Sequence, residues 1–105
     1  MAWLYLGLAA ILEVGFALSM KASKGFTVFW PSVGTVFGVI GGIALLTLAL
    51  RTLPVSIGYP IWVGAGALGT VIFGALFFGE SVNALKIVSV ALIASGVAGL
   101  KIAAG

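Results

Sequence analysis

Long apolar segments separated by short polar breaks make up almost the whole chain. Four such blocks cover about residues 2–20, 32–50, 57–78 and 84–103. Each block approaches the roughly 20 apolar residues that a helix needs to cross a bilayer. The pattern therefore predicts an all-α membrane protein, in which residues 1–105 form a single domain of four transmembrane helices.

Composition supports a membrane protein, since 63% of the residues are hydrophobic and 7% are charged, with a mean hydropathy of +1.37. A soluble domain of this size cannot bury so much apolar surface. The chain has no cysteine and no histidine, which excludes disulfides, thiolate metal sites and the usual proton carrier near neutral pH. The net charge of +3 comes without a dense basic cluster, so we expect no nucleic-acid partner. We also expect no metal ion or other cofactor.

The first block is interpreted as a membrane span and not as a signal peptide. A signal peptide carries basic residues before its apolar segment, whereas Lys21 and Lys24 follow this one. Trp3 and Tyr5 are typical of aromatic anchors at the membrane interface. We therefore expect the lipid bilayer to surround this segment.

One carboxylate, that of Glu13, lies in the middle of the first block, within LYLGLAAILEVGFALSM. An ionised side chain near the bilayer midplane costs about 2.5–3.5 kcal/mol on insertion scales, and such residues are usually functional. Because histidine is absent, any proton chemistry must use a carboxylate. The residues about one turn away are Ala9, Ala10, Phe16 and Ala17. The alanines leave space beside the carboxylate, and Phe16 adds an aromatic ring.

The third block begins with a polar and aromatic cluster, SIGYPIW. Tyr59 and Trp62 are three residues apart and therefore share a helix face, which continues to Gly66, Gly69 and Phe73. The Tyr59 hydroxyl can donate a hydrogen bond, and both aromatic faces suit an organic cation. The alternative is that the two aromatic residues belong to an interfacial belt.

Prolines and aromatic residues mark the predicted helix ends. Phe26–Trp30 is interpreted as an interfacial connector, with Pro31 near the start of the second helix. Pro60 lacks an N–H group, so either the third helix begins near Ser56 or it bends at Pro60. Glu80 lies in the third polar break, where we expect it to be solvated and to have no role in the core.

Two blocks carry small residues at every fourth position, a pattern that lets another helix backbone approach closely. In the second block the pattern predicts close packing or a cavity wall. In the fourth block it predicts a helix–helix interface that can lie between subunits. The residues are Gly34, Gly38 and Gly42 in the second block, and Ala91, Ser95 and Gly99 in the fourth.

The basic residues give almost no orientation signal. With four spans, Arg51 and Lys101 lie on one side of the membrane, and Lys21, Lys24 and Lys86 lie on the other. Orientation follows the distribution of Lys and Arg over short loops, so this chain could insert both ways up. We therefore predict an antiparallel homodimer, the symmetry that transporters with inverted repeats use for alternating access.

In such a dimer, two Glu13 carboxylates would face each other across a pocket. Two nearby carboxylates in a medium of low dielectric constant cannot both be ionised cheaply, and they titrate as a coupled pair. A bound organic cation favours the charged forms instead. Protons and the cation would therefore compete for one site, and this competition is sufficient for exchange.

Several segments together resemble the small multidrug resistance family of bacterial proton-coupled exporters. The matching segments are MAWLYL, LEVGFALSMKASKGFT, WPSVGT, LPVSIGYPIW, VGAGALG, FFGES and SGVAGLK. The resemblance implies an antiparallel dimer of four-helix subunits in the cell inner membrane, with the fourth helices in contact. It also implies that Glu13 binds both protons and substrate, and that Tyr59 and Trp62 line the pocket.

The segments FGES, GLK and GALG look like the guanidinium-exporter branch of that family. This branch usually carries Trp where the chain has Phe16, Ser where it has Gly42, and a small residue where it has Pro60. A pocket with fewer polar partners should accept bulkier hydrophobic cations, such as quaternary ammonium ions. We therefore favour a proton-coupled antiporter for a range of organic cations. Selective guanidinium export and one half of a heterodimeric pair are the alternatives.

Two alternatives come from other functional classes, an ion channel and an accessory subunit. A dual-topology ion channel needs a continuous polar pore, which one acid and few hydroxyls do not supply. An accessory subunit would pair Glu13 with a partner's cation. We do not expect an enzyme, since no nucleophile–base pair is present.

The predicted site comprises Glu13 with the pocket residues Ala10, Phe16, Gly42, Tyr59 and Trp62.

Overall fold

The computed structural model describes residues 1–104, which form four α-helices and no strand. They are α1 (Ala2–Ala22), α2 (Phe29–Ala49), α3 (Val55–Phe78) and α4 (Ala84–Ala104). At 1.5 Å per residue, helices of 21 to 24 residues extend about 31–36 Å. All four are long and apolar enough to cross a membrane. The predicted fold class, an all-α membrane protein with four spans, is confirmed.

Two helix boundaries differ from the sequence pattern. The second helix begins at Phe29, so Phe29 and Trp30 are helical and are not part of a connector. Pro31 is the third residue of α2, a position whose N–H group would have no acceptor within the helix. In α3, Pro60 is the sixth residue, beyond the first turn. The helix therefore begins next to Ser56, and the Ser56 carbonyl lacks its usual donor.

A tight turn joins α1 to α2. The Ser23 side chain is fully buried there, and its hydroxyl donates to the Met20 carbonyl oxygen at 2.6 Å. The same hydroxyl accepts from the Phe26 backbone N–H at 3.2 Å. Lys24, Gly25 and Phe26 all have positive φ angles, between 49° and 73°. These interactions reverse the chain within a few residues, so α1 and α2 pack antiparallel along their length.

The helices form a thin layer, in which the Cα trace extends 42 × 34 × 16 Å. In this layer α1 is central, because it packs against α2 on one side and α3 on the other. The fourth helix packs closely only against α3 and has no buried residue. The buried apolar side chains lie where α1, α2 and α3 meet, and they are Leu6, Ala9, Leu46, Ala49, Ile61 and Trp62.

The two patterns of small residues lie in different surroundings. In α2, a Cβ atom added at Gly38 would lie 2.7 Å from the Phe16 Cβ, and one at Gly34 would lie 3.2 Å from the Ser19 hydroxyl. The α2 pattern therefore packs against α1 within one chain. In α4, the three predicted interface residues are all exposed; they are Ala91, Ser95 and Gly99. No other atom lies within 4 Å of a Cβ added at Gly99.

Candidate functional site

The Glu13 side chain lies near the middle of α1 and is directed at α3. A Cβ atom added at Gly66 of α3 would overlap the Glu13 carboxylate. The carboxylate therefore lies against the α3 backbone, at a position that only a glycine leaves open. Its Oε1 atom is buried and has no hydrogen-bond partner within residues 1–104. A buried, unpaired carboxylate oxygen is costly, so this atom is available to a proton or to a cationic donor.

Glycines also allow α3 to approach α1 one turn further along. A Cβ atom added at Gly69 would overlap the Val14 side chain. The predicted face of α3 is therefore only partly directed at α1. Trp62 is buried at 8% exposure, but Tyr59 is 49% exposed and Phe73 is 39% exposed. Trp62 and the two glycines contact α1, while Tyr59 and Phe73 lie towards the uncovered surface of the layer.

The Trp62 indole joins α3 to α1 at the turn that carries Glu13. Its Nε1–H donates to the Ala9 carbonyl oxygen at 3.0 Å, in a buried hydrogen bond. In an α-helix the same carbonyl accepts from the N–H four residues later, which is that of Glu13. Trp62 also packs against Tyr59, with ring centroids 5.6 Å apart at an interplanar angle of 61°. Trp62 therefore holds α1 in place as well as presenting an aromatic ring.

The second helix reaches the same carbonyl from the other side. A Cβ atom added at Gly42 would lie 3.7 Å from the Ala9 carbonyl oxygen and 3.7 Å from the Phe16 Cε2. These are ordinary contact distances, so a serine Cβ fits at this position. The structure thus brings Phe16 and Gly42 together at the α1–α2 contact. Phe16 supplies no hydrogen-bond donor there, and Gly42 has no side chain.

Ala10 lies in different surroundings. It lines a cleft of about 170 Å³ between α1, α3 and α4. The wall of this cleft is almost entirely apolar, apart from Lys101 at one end, whose Nζ lies 4.6 Å from the centroid of the Trp3 ring. One chain therefore does not assemble all of the predicted pocket residues into one cavity, and their shared role in a pocket stays a prediction.

Glu80 is exposed, as expected for a polar break, and it also forms an ion pair that the sequence did not indicate. Its Oε2 lies 3.6 Å from the Lys21 Nζ, so it links the third loop to the end of α1. A Cβ atom added at Gly74 would lie 2.7 Å from the Glu80 Oε1, so this side chain also lies over α3. Lys21 and Glu80 remain 59% and 41% exposed, and an exposed ion pair contributes only about 0–1 kcal/mol.

Comparison with known proteins assigns the family. The sequence profile of the family described as Small Multidrug Resistance protein matches residues 1–93. The chain belongs to this family. This transporter is 42% identical over 103 residues to the guanidinium exporter of Proteus vulgaris, covering 98% of this chain and 99% of that protein. It is 43% identical over 102 residues to the guanidinium exporters of Citrobacter freundii and Escherichia coli K12, covering 97% of each chain.

The family assignment and the four helices establish a multi-pass membrane transporter. Two contacts at the Glu13 site of this transporter were not predicted from sequence. One is the position of the Glu13 carboxylate against Gly66, and the other is the hydrogen bond from Trp62 to Ala9. The spacing of Gly66 and Gly69 on the Trp62 face was the available signal for the first. The sequence pattern did not indicate the hydrogen bond from Trp62 to Ala9, because its acceptor is a main-chain carbonyl that every residue carries.

Proposed function

We propose that this transporter exports guanidinium-type cations in exchange for protons, with Glu13 as the shared binding site. The observation that carries the proposal is the buried Glu13 carboxylate oxygen in the middle of a membrane span, without a partner in its own chain. The guanidinium substrate is supported by the similarity to three proteins named guanidinium exporter. The expected location is the bacterial inner membrane.

The chemistry of a carboxylate in an apolar span explains the coupling. An ionised, unpaired carboxylate is costly in this environment, so it is neutralised either by a proton or by a bound cation. A guanidinium ion presents planar pairs of N–H donors that match the two oxygens of a carboxylate. The two occupants exclude each other. One cation therefore leaves the site as protons enter it, and the proton gradient drives export.

An antiparallel homodimer is part of the proposal. The thin layer of one chain, 16 Å in its shortest dimension, does not enclose a chamber around Glu13. The α4 surface that contains Ala91, Ser95 and Gly99 is exposed in the single chain, and small residues at this spacing favour close contact with another helix. A second copy in the opposite orientation would cover α4 and would bring its own Glu13 to the site.

Export of bulkier hydrophobic cations, such as quaternary ammonium ions, is the second candidate. The observation that favours it is the contact of Gly42 and Phe16 beside the Ala9 carbonyl. Neither residue offers a polar side chain there. Fewer fixed hydrogen-bonding groups reduce the advantage of a small polar guanidinium. Apolar surface of the substrate then supplies more of the affinity.

Uptake into reconstituted vesicles with an acidic interior tests both candidates. We expect guanidinium to accumulate, and accumulation to stop when an ionophore dissipates the pH gradient. Glu13→Gln should abolish uptake, since the amide cannot bind and release a proton. Glu80→Gln is the matched control, because it removes the only other acid of the chain and should retain uptake.

Three outcomes would contradict the proposal. Proton-driven uptake by Glu13→Gln would exclude Glu13 as the coupling site. Accumulation of tetrapropylammonium without guanidinium would favour the second candidate. Passage of ions without a pH gradient, at the same rate in the variant, would favour a channel.

A further inference from the structure

A cleft of about 300 Å³ lies at the start of α1 and the end of α2, away from Glu13. Polar and apolar groups line it in about equal parts. It is lined by Met1, Ala2, Tyr5, Leu48, Arg51 and Thr52. Tyr5 precedes Glu13 by eight residues, which is about 12 Å along a helix. Because α1 begins here and α2 ends here, we expect the cleft to lie at the level of the lipid headgroups when the helices cross a bilayer. It is therefore a surface separate from the proposed cation site.

Arg51 gives this cleft a positive charge, and no acidic side chain within residues 1–104 pairs with it. The Arg51 side chain is exposed. The chain has two acids. Glu13 lies in the middle of α1, and Glu80 pairs with Lys21 at the opposite end of the helices. The other basic side chain on the Arg51 side, that of Lys101, lies over the Trp3 ring. Among the basic side chains at this end of the helices, Arg51 is thus the one that remains available to an external anion.

The lining chemistry favours a phosphate attached to a lipid. A guanidinium group binds phosphate through two parallel N–H bonds. Tyr5 lines the same cleft, and its hydroxyl can serve as a further donor. Leu48 and Ala2 provide apolar contact for the glycerol and the first carbons of the acyl chains. A free phosphate ion would gain nothing from this apolar half of the wall.

We propose that this cleft binds the headgroup of an anionic phospholipid, with Arg51 as the phosphate ligand and Tyr5 as a supporting donor. Negatively charged membrane surfaces attract basic residues at this depth, and the cleft adds a shaped site to that general attraction. The inference does not depend on the transported substrate, because it concerns binding by the folded chain alone.

Native mass spectrometry of the detergent-solubilised transporter tests the site. We expect phosphatidylglycerol to bind once per chain and phosphatidylcholine to bind more weakly. Arg51→Gln should weaken phosphatidylglycerol binding by at least about tenfold, since a hydrogen-bonded charge is lost, and Arg51→Lys should retain part of it. Lys24→Gln is the matched control, because Lys24 is an exposed cation at the opposite end of the helices. This control should bind phosphatidylglycerol like the unmodified chain.

Four results would overturn the proposal. Equal binding of the two lipids, or equal loss in Arg51→Gln and Lys24→Gln, would show that no specific site exists. Displacement of phosphatidylglycerol by millimolar inorganic phosphate would assign the cleft to a free anion. Cross-linking between cysteines placed at positions 51 and 80 of two different chains would assign Arg51 to the Glu80 of a second copy. Guanidinium uptake by Arg51→Gln, measured in parallel, shows that this variant is folded.

Discussion

Replacing Gly66 by alanine tests whether the Glu13 carboxylate must lie against the α3 backbone. The new Cβ atom would overlap this carboxylate, so either the side chain rotates away or α3 separates from α1. Gly15→Ala is the matched control, because a Cβ atom added at Gly15 meets no atom within 4 Å. Both variants gain the same helix propensity, about 1 kcal/mol in favour of alanine. The difference between them therefore isolates the overlap with Glu13.

The size of the effect follows from the cost of overpacking. Adding a methyl group to a closely packed contact costs about 1–3 kcal/mol. A free-energy cost of this size lowers the population of the arrangement in which the Glu13 carboxylate lies against α3 by roughly 5- to 150-fold. We therefore expect Gly66→Ala to reduce the rate of proton-driven guanidinium uptake by about 5- to 150-fold. Gly15→Ala should change the same rate by less than about twofold, as is usual for a substitution that meets no other group.

Uptake into vesicles with an acidic interior measures the effect, at matched protein content and with the melting temperature in detergent recorded for both variants. A Gly66→Ala protein that melts normally but transports slowly would support a specific effect on Glu13. If Gly66→Ala transported as fast as Gly15→Ala, the close contact of the carboxylate with α3 would have no role in the transport cycle. The proposed function would survive that result, because it depends on Glu13 and not on its position against Gly66.

Three further outcomes follow from other contacts. Trp62→Phe keeps a ring but loses a hydrogen bond worth about 0.6–1.7 kcal/mol in a membrane, so uptake should fall about 3- to 20-fold; unchanged uptake would mean that the bond is dispensable. Gly38→Ala places a Cβ atom 2.7 Å from the Phe16 Cβ and should lower the melting temperature in detergent, whereas an unchanged temperature would show that α2 can shift. Lys21→Glu and Glu80→Lys should each lower the melting temperature slightly and the double exchange should restore it, by no more than about 1 kcal/mol; additive losses would show that the pair does not contribute.

The four spans and the buried acid could be predicted because membrane insertion depends on properties that are local in sequence. About 20 apolar residues are needed for each span, and Glu13 is the one acid inside such a segment. The start of α2 was less predictable. Phe29 and Trp30 suit a membrane interface and a helix equally well, so the pattern did not locate the boundary.

Contacts between distant segments could not be predicted in the same way. Glu80 is in a polar break, and only the folded chain brings it to 3.6 Å from Lys21. The close approach of α1 and α3 at Gly66 depends on which helix faces meet, and several glycine-containing faces were available. The separation of Ala10 from Phe16 and Gly42 has the same origin, since α1 contacts different helices on its two sides.

Substitutions can remove the donor of the hydrogen bond between Trp62 and Ala9, but they cannot remove its acceptor. Its donor belongs to a side chain, but its acceptor belongs to the peptide backbone. Every amino acid at position 9 would provide that oxygen, so a codon change there cannot delete the acceptor. Natural or engineered variation can abolish the link directly only through position 62, and random mutagenesis should therefore identify one member of this pair far more readily than the other.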